Sequence, residues 1–270
     1  MKILALIRNP EELPQVEAYA QRVSGDDDLI HFAHLISVPG EVPTKKNGEV
    51  LDDCTEFDLT QYYNEAAMAR RWMASGLQLE NATHSVHIGR VEHMAKALVY
   101  EHEAHVILTS TEFTSESGDF FKESRGGLLL QNLDIPVLTF KCDRSKEHIE
   151  TIAIVSDFRD EELMDLHVVK QIRENNGAKV VLHAFCENET EREEMESRMK
   201  AFTNKYGMGT TELIITATED KEQAVADLIM EHRIQLMVVT DIHRKGLKRI
   251  IKGSLEKDIL NHTLVPILAY

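Results

Sequence analysis

The sequence predicts an α/β protein of two tandem, doubly wound domains, each a five-stranded parallel sheet with helices on both faces. Three observations support this prediction. Short apolar runs alternate with amphipathic stretches, the chain repeats itself, and 270 residues suit two ordinary domains. Strand–helix alternation favours right-handed crossovers and a parallel sheet. We expect strand order 3-2-1-4-5 in each domain, with the ligand crevice at the carboxyl ends of the strands.

The internal repeat defines the two domains. Residues 91–110, VEHMAKALVYEHEAHVILTS, match residues 221–240, KEQAVADLIMEHRIQLMVVT, at an offset of 130. Nearer the start, KILALIR aligns with TIAIVSD, and FAHL with VLHAF, which pairs His34 with His183 at an offset of 149. The extra residues of the first copy are assigned to 38–60, a polar stretch with two prolines and two glycines that predicts a long surface loop. The predicted domains are 1–141 and 148–270, joined by CDRSKEH.

Each copy contains five apolar runs that predict strands. In the first copy they are Lys2–Ile7, Leu29–Val38, Ser85–Gly89, His105–Ser110 and Pro136–Phe140, and in the second Ile149–Ser156, Lys179–Phe185, Glu212–Ala217, Leu236–Thr240 and Pro266–Ala269. Asn9-Pro10-Glu11-Glu12 predicts a helix start, because Asn caps, Pro tolerates the first turn and Glu complements the helix dipole. Asp160-Glu161-Glu162 has the same character in the second copy.

Composition excludes several classes of partner. The formal charge of −16 repels phosphate backbones and anionic headgroups, so we expect neither nucleic acid nor membrane as a partner. The N-terminal apolar run is too short for a signal peptide, and no stretch reaches the ~20 apolar residues of a membrane helix. Three distant cysteines, Cys54, Cys142 and Cys186, predict no disulfide framework and no thiolate zinc site. These features predict a cytoplasmic protein.

The common catalytic signatures of α/β proteins are missing from the sequence. There is no GxxxxGK[ST] phosphate loop, no GxGxxG after the first strand of either copy and no GxSxG nucleophile elbow. His87-Ile88-Gly89-Arg90 is similar to the HIGH signature of adenylyl-transferring enzymes, but it follows the third strand rather than the first, so we interpret it as a strand end. The sequence therefore predicts a protein that is not an enzyme.

Three histidine pairs with i, i+3 spacing raise the question of a metal site. They are His31/His34, His84/His87 and His102/His105. Odd spacing on a strand directs the first two pairs to opposite faces, and no HExxH or carboxylate cluster accompanies them. We therefore assign no metal.

The most informative segment is HRKGLKRIIKGSLEKDILNH, residues 243–262. Arg244 and four further cations lie within nine residues, and Gly253-Ser254 then opens a helical stretch. Backbone amides at a helix start, a glycine that permits close approach and a serine hydroxyl form an anion site. In the alternative interpretation the cations form a solvated face and Ser254 is only a helix cap.

This segment and its neighbours resemble the universal stress protein family. That family ends with G-x2-G-x9-G-[ST], a helix and a terminal strand containing Pro-Val, and KGLKRIIKGSLEKDILNHTLVPIL is similar to the latter part. Strands Leu29–His34 and Lys179–His183 resemble the family's second strand, and Val86-His87-Ile88-Gly89 its V-x-x-G turn. In the nucleotide-binding branch the loop glycines and Ser/Thr bind ATP phosphates, and an Asp ending the first strand contacts the base end.

The two copies keep different parts of this pattern. In the second copy Asp157, Gly253 and Ser254 match, while Thr240 and His243 replace the first two glycines. In the first copy Arg8 stands at the Asp position, Ser110 and Phe113 replace the early glycines, Glu123 replaces the last, and only Ser124 remains. We expect Arg8 and Glu123 to pair and close that crevice.

The resemblance implies a non-enzymatic stress-response protein that binds ATP or AMP in its C-terminal domain only. The predicted site is formed by Asp157, Thr240, His243, Arg244, Gly253 and Ser254. Two alternatives remain open: a protein-interaction module that has lost nucleotide binding, and a weak ATPase. Family domains pair through their terminal strands, so the resemblance also implies an internal pseudo-dimer of the two halves and a homodimer of chains, with Leu138 and Leu268 at the contacts.

Overall fold

The structure is a computed structural model. It describes residues 1–51, 53–110, 129, 133–141, 147–158, 166–186, 188–207, 211–218, 220–240 and 265–270. These residues divide into two compact units, the first ending within 133–141 and the second beginning at Glu147.

In the first unit, helices and strands alternate as the sequence predicts. The elements are β1 (Lys2–Ile7), a 3₁₀ turn (Pro10–Glu12), α1 (Leu13–Val23), β2 (Leu29–Ser37), α2 (Thr60–Gly76), β3 (Ala82–Gly89), α3 (Val91–Glu101), β4 (Val106–Ser110) and β5 (Val137–Phe140). All neighbouring strands are parallel, in the order β3-β2-β1-β4-β5. The fold class and strand order predicted for this unit are confirmed.

The second unit has the same topology. Its described elements are β6 (Thr151–Val155), α4 (His167–Asn176), β7 (Lys179–Cys186), α5 (Glu189–Tyr206), β8 (Thr211–Ala217), α6 (Lys221–Glu231), β9 (Leu236–Val239) and β10 (Ile267–Ala269). The strands are again parallel, in the order β8-β7-β6-β9-β10. The helix start predicted at Asp160-Glu161-Glu162 lies outside the described residues.

Strand bounds differ from the predictions by only a few residues. The largest difference is β3, which begins at Ala82 rather than Ser85. Of the three added residues, Thr83 and His84 are polar and exposed, so the segment lacks an apolar pattern, yet it continues the parallel ladder opposite β2. By contrast, β1 is buried from Ile3 to Ile7, because it is the central strand with a neighbour on each side.

The connection between β2 and α2 is more ordered than a surface loop. Thr44 and Val50 form an antiparallel bridge, and the side chains of Val38, Val42 and Val50 are buried. The Val50 amide donates to the Ile88 carbonyl at 2.9 Å, which attaches the loop to the end of β3. The predicted end of the loop, residue 60, is confirmed to within one residue, since α2 begins at Thr60. The prediction that it lies on the surface holds only in part, because spaced valines provide buried contacts without any helical or strand period.

The alignment of His34 with His183 is wrong by one residue. In the first unit β1 Leu6 pairs with Ala33, while in the second its counterpart Val155 pairs with His183. His183 therefore corresponds to Ala33. A shift of one residue moves a side chain to the other face of the sheet, so His183 lies on the face that His31 occupies in the first unit.

Candidate nucleotide site

The second unit brings two of the predicted site residues to one sheet edge. β6 and β9 are adjacent and parallel, with Val155 opposite Val239, so the residues that follow these strands emerge side by side. The hydroxyl of Thr240 donates to Ser156 Oγ at 2.7 Å, and Thr240 is buried. Asp157, half-buried, follows Ser156 directly. The crevice expected at the carboxyl ends of the strands thus has Asp157 and Thr240 at the same edge.

The turn that carries Asp157 is fixed on both sides. The backbone amide of Phe158 donates to Ser156 Oγ at 3.1 Å, so this one hydroxyl holds both Thr240 and the turn. Phe158 has a φ of +51°, a conformation that is unfavourable for a bulky residue. Its ring is only 1 % exposed and meets Phe202 edge-on at 5.1 Å. Buried aromatic packing therefore maintains a strained backbone immediately after Asp157, a feature common at ligand sites.

The remaining predicted site residues fall outside the described part of the chain. They are His243, Arg244, Gly253 and Ser254. The structure therefore locates Asp157 and Thr240, at the end of the predicted site that would face the base. The phosphate end of the site stays a sequence prediction.

The corresponding edge of the first unit has different chemistry. Arg8 stands at the position of Asp157, and its guanidinium forms an ion pair with the buried carboxylate of Glu12. The hydroxyl of Ser110, at the position of Thr240, donates to Glu12 Oε2 at 2.7 Å. Arg8 also approaches Ser110 Oγ at 3.4 Å. A carboxylate and its partners therefore occupy the edge where the second unit presents Asp157.

Sequence analysis missed Glu12 as a partner of Arg8. It interpreted this residue only as the acidic first turn of a helix, and it named Glu123, which lies outside the described residues, as the partner. The predicted capping is confirmed, since Asn9 Oδ1 accepts from the Glu12 amide at 3.0 Å. The available signal was the i, i+4 spacing of Arg8 and Glu12, which permits pairing when the intervening residues turn.

Comparison with known proteins identifies the fold but provides no close relative. No family model matches the sequence, and no curated protein matches it. Among solved structures, a universal stress protein from Archaeoglobus fulgidus superposes with a TM-score of 0.65 over 99 % of this chain and 95 % of that one, at 14 % identity. The chain has the universal stress protein fold.

Two further solved structures superpose on this chain. A Pseudomonas aeruginosa protein of unknown function superposes with a TM-score of 0.56 at 12 % identity, covering 99 % of this chain and 91 % of that one. The cytoplasmic domain of a prokaryotic cation chloride cotransporter gives 0.53 at 9 % identity, covering 99 % and 94 %. In this chain, no helix among the described residues is both long and apolar enough to cross a membrane.

The histidines of this universal stress protein fold form a polar network in the first unit. His31 Nδ1 lies 2.8 Å from Thr83 Oγ1 and His31 Nε2 lies 2.7 Å from Ser85 Oγ. The ring also stacks on His102 with centroids 3.7 Å apart. Burial, followed by the neighbouring His102, His87 and His84, lowers the pKa of His31 to about 3, so the ring is neutral at pH 7. Hydroxyl partners and a stacked ring satisfy His31 without a metal.

His31 and His34 point to opposite faces of β2, as their spacing predicts. His34 donates from Nδ1 to the Ile7 carbonyl at 2.9 Å and meets the Trp72 ring of α2 edge-on. Within the described ranges, no group of three or more His, Cys, Asp and Glu side chains is placed to hold a metal ion.

Gly89, the glycine of the HIGH-like segment, has a structural role. A Cβ on Gly89 would lie 1.9 Å from the carbonyl oxygen of Gly48 in the loop between β2 and α2. The next amide, that of Arg90, donates to the same oxygen at 2.8 Å. The interpretation of this segment as a strand end is confirmed, and the close backbone approach explains why glycine stands there.

Proposed function

We propose that this chain is a non-enzymatic universal stress protein that binds ATP or AMP in its second unit only. The observation that carries the proposal is the contrast between the two sheet edges. In the second unit Thr240 and Ser156 hold the turn that presents Asp157. In the first unit Arg8, Glu12 and Ser110 occupy the corresponding positions.

The proposal assigns a role to each predicted residue. Asp157 accepts hydrogen bonds from the base end of the nucleotide. The amides at Gly253 and Ser254 and the Ser254 hydroxyl receive the phosphates at a helix N-terminus. Arg244 neutralises phosphate charge, while Thr240 and His243 border the crevice.

The bonded side chains at the corresponding edge explain why the first unit would not share this role. Glu12 is only 5 % exposed, and its carboxylate is already bonded to Arg8 and Ser110. The base end of a nucleotide at this edge would meet Arg8 and a carboxylate that is already bonded, instead of the carboxylate that Asp157 offers in the second unit, and opening the network would leave the buried Glu12 carboxylate without these partners. The nucleotide is therefore expected to bind only to the second unit.

Calorimetric titration of ATP and AMP into the full-length chain tests the proposal. Gly253→Glu places in the second copy the residue that the first copy has, so it should abolish binding, and Asp157→Ala should weaken it. The matched control is Ser124→Ala, which should leave binding unchanged. If Ser124→Ala reduced binding and Gly253→Glu did not, the nucleotide would bind in the first unit, and the proposal would be wrong.

Two other functions are distinguished by the same sample. If no heat is detected at millimolar nucleotide, the protein-interaction module replaces the nucleotide-binding proposal, and the closed edge of the first unit favours this alternative. If ATP binds and phosphate is released at a steady rate that Asp157→Ala removes, the weak ATPase replaces it. We propose non-enzymatic binding because the sequence offers no nucleophile–base pair.

We also propose that the protein is cytoplasmic and assembles through its terminal strands β5 and β10. Family resemblance implies pairing of the two halves as an internal pseudo-dimer and association of two chains as a homodimer. Light scattering of the full-length chain at micromolar concentration should report a dimer. A wild-type chain that is monomeric at micromolar concentration contradicts the homodimer.

A further inference from the structure

The edge strand β3 of the first unit places a serine, a histidine and a carboxylate in one hydrogen-bonded row. Ser85 and His87 are two residues apart on β3, so their side chains lie on the same face of the sheet. Ser85 Oγ lies 2.8 Å from His87 Nε2, and His87 Nδ1 lies 2.7 Å from Glu49 Oε1. Glu49 belongs to the loop between β2 and α2, where it forms an antiparallel bridge with Gly89. A hydroxyl on one ring nitrogen and a carboxylate on the other is the arrangement that activates serine nucleophiles in proteins.

Glu49 fixes which ring nitrogen of His87 carries the proton. The hydrogen bond from His87 lowers the pKa of Glu49, so the carboxylate is ionised at pH 7 and only accepts hydrogen bonds. His87 Nδ1–H therefore donates to Glu49, and Nε2 keeps a lone pair that accepts from the Ser85 hydroxyl. The hydrogen bonds thus run from serine to histidine to carboxylate, the direction in which a proton would leave the serine. Glu49 precedes His87 by 38 residues along the chain, so no local motif marks this set in the sequence.

Two further side chains support the row at its ends. Asn47 Nδ2 donates to the second carboxylate oxygen, Glu49 Oε2, at 3.1 Å. At the other end His31 Nε2 lies 2.7 Å from Ser85 Oγ. Because the serine proton is donated to His87, His31 donates its Nε2–H to the serine oxygen. A donor at this position stabilises the oxygen as it loses its proton.

The row lies at a partly exposed edge of the sheet. The side chains of His87 and Glu49 are 19 % and 33 % exposed, and Ser85 is half-buried. The second unit has no such row on its edge strand β8, because Ile214 and Thr216 stand at the strand positions of Ser85 and His87. The chemistry of this set therefore belongs to the first unit and is separate from the edge that presents Asp157.

We propose that Ser85 is a reactive serine that takes an acyl group from a small activated ester. Ser85 Oγ attacks the carbonyl carbon and gives its proton to His87 Nε2, while the Glu49 carboxylate stabilises the imidazolium. The bond between the carbonyl carbon and the leaving oxygen then breaks, and that oxygen takes the proton from His87. The products are acyl-Ser85 and the free hydroxyl compound. Each chain accepts one acyl group, so Ser85 is a modification site, and its reaction does not require nucleotide.

Reaction of the full-length protein with p-nitrophenyl acetate tests this proposal. Samples are quenched in acid at intervals, and peptide mass spectrometry measures the acetyl group on each serine. The reference is Ser75, an exposed serine of α2 whose hydroxyl donates to the Arg71 carbonyl at 3.0 Å and not to an imidazole. Ser85 should be acetylated at least about a hundredfold faster than Ser75, because a positioned general base contributes roughly 10²–10⁴-fold.

Two variants separate the base from the residue that positions it. His87→Ala should remove the advantage of Ser85 over Ser75, and imidazole added to this variant should restore part of it. Glu49→Gln keeps the shape of the side chain but not its charge, and it should slow acetylation of Ser85 by at least about tenfold. An unchanged rate in Glu49→Gln would overturn the proposal.

His84→Gln is the matched control for His87→Ala. His84 is an exposed histidine of the same strand, on the face opposite to Ser85, so its loss should leave acetylation of Ser85 unchanged. If His84→Gln and His87→Ala slowed the reaction equally, or if Ser85 reacted no faster than Ser75 in the wild type, the row would be only a polar ladder and the proposal would be wrong.

Discussion

The Ser110 hydroxyl donates to the buried Glu12 carboxylate at 2.7 Å, whereas its counterpart Thr240 donates to the neutral Ser156 hydroxyl at the same distance. The two units thus use the same strand position for opposite purposes. In the first unit the bond helps to hold an anion inside the crevice. In the second it braces the turn that presents Asp157 without adding charge.

Removing that anion should destabilise the first unit. Glu12→Ala leaves the guanidinium of Arg8 and the hydroxyl of Ser110 without the buried carboxylate they now bind. We expect a loss of about 1–3 kcal/mol in the free energy of unfolding, measured by urea denaturation. Glu11→Ala removes the exposed neighbouring acid and should change stability by less than about 0.5 kcal/mol. Equal effects of the two changes would show that Glu12 does not support this network.

At position 158, a glycine variant should be at least as stable as an alanine variant, which reverses the usual order. At most positions glycine is less stable than alanine by roughly 0.5–1 kcal/mol, but glycine tolerates the φ of +51° found here and alanine does not. Both variants lose the buried ring, a cost of about 3–5 kcal/mol. In thermal unfolding, Phe158→Gly should therefore be at least as stable as Phe158→Ala.

The control for this comparison lies in α6. Ala226→Gly changes an exposed position of a regular helix and should cost about 1 kcal/mol. If Phe158→Gly were less stable than Phe158→Ala by a similar amount, the turn after β6 would not have the left-handed backbone described above.

Gly89 should not tolerate a side chain. A methyl group there would meet the Gly48 carbonyl oxygen at 1.9 Å, so either β3 or the loop between β2 and α2 must move. We expect Gly89→Ala to cost at least about 1–3 kcal/mol in urea unfolding and to increase proteolysis of the loop. Gly40→Ala is the matched control in the same loop, because nothing lies within 4 Å of its Cβ. A stable Gly89→Ala variant would contradict the close approach.

The two buried histidines should make stability depend on pH. Burial lowers the pKa of His31 to about 3 and that of His183 to about 4, while an unfolded histidine titrates near 6.5. Below pH 6.5 the unfolded chain therefore binds protons that the folded chain does not bind. The free energy of unfolding consequently falls as the pH decreases towards 4. Each histidine contributes up to about 1.4 kcal/mol per pH unit in this window.

His31→Val tests this origin of the pH dependence. Valine is not titratable, and the position equivalent to His31 in the second unit is Val181. Denaturation at pH 7, 6 and 5 should give a shallower loss of stability for the variant than for the wild type. An identical slope would mean that the pKa of His31 is similar in the folded and unfolded states. The comparison rests on the difference in slope between the variant and the wild type.

The sequence by itself determined the fold class, the strand order and most strand positions, because alternating apolar runs and a repeat at offset 130 leave few alternative topologies. It also placed Asp157 and Thr240 together, since the carboxyl ends of neighbouring parallel strands share one edge. Only the tertiary structure decided the partners of individual side chains. Arg8 forms an ion pair with Glu12, and a register difference of one residue puts His183 on the opposite face from His34. Periodicity fixes which strands are neighbours, but hydrogen-bond partners depend on atomic distances that the periodicity of a sequence does not encode.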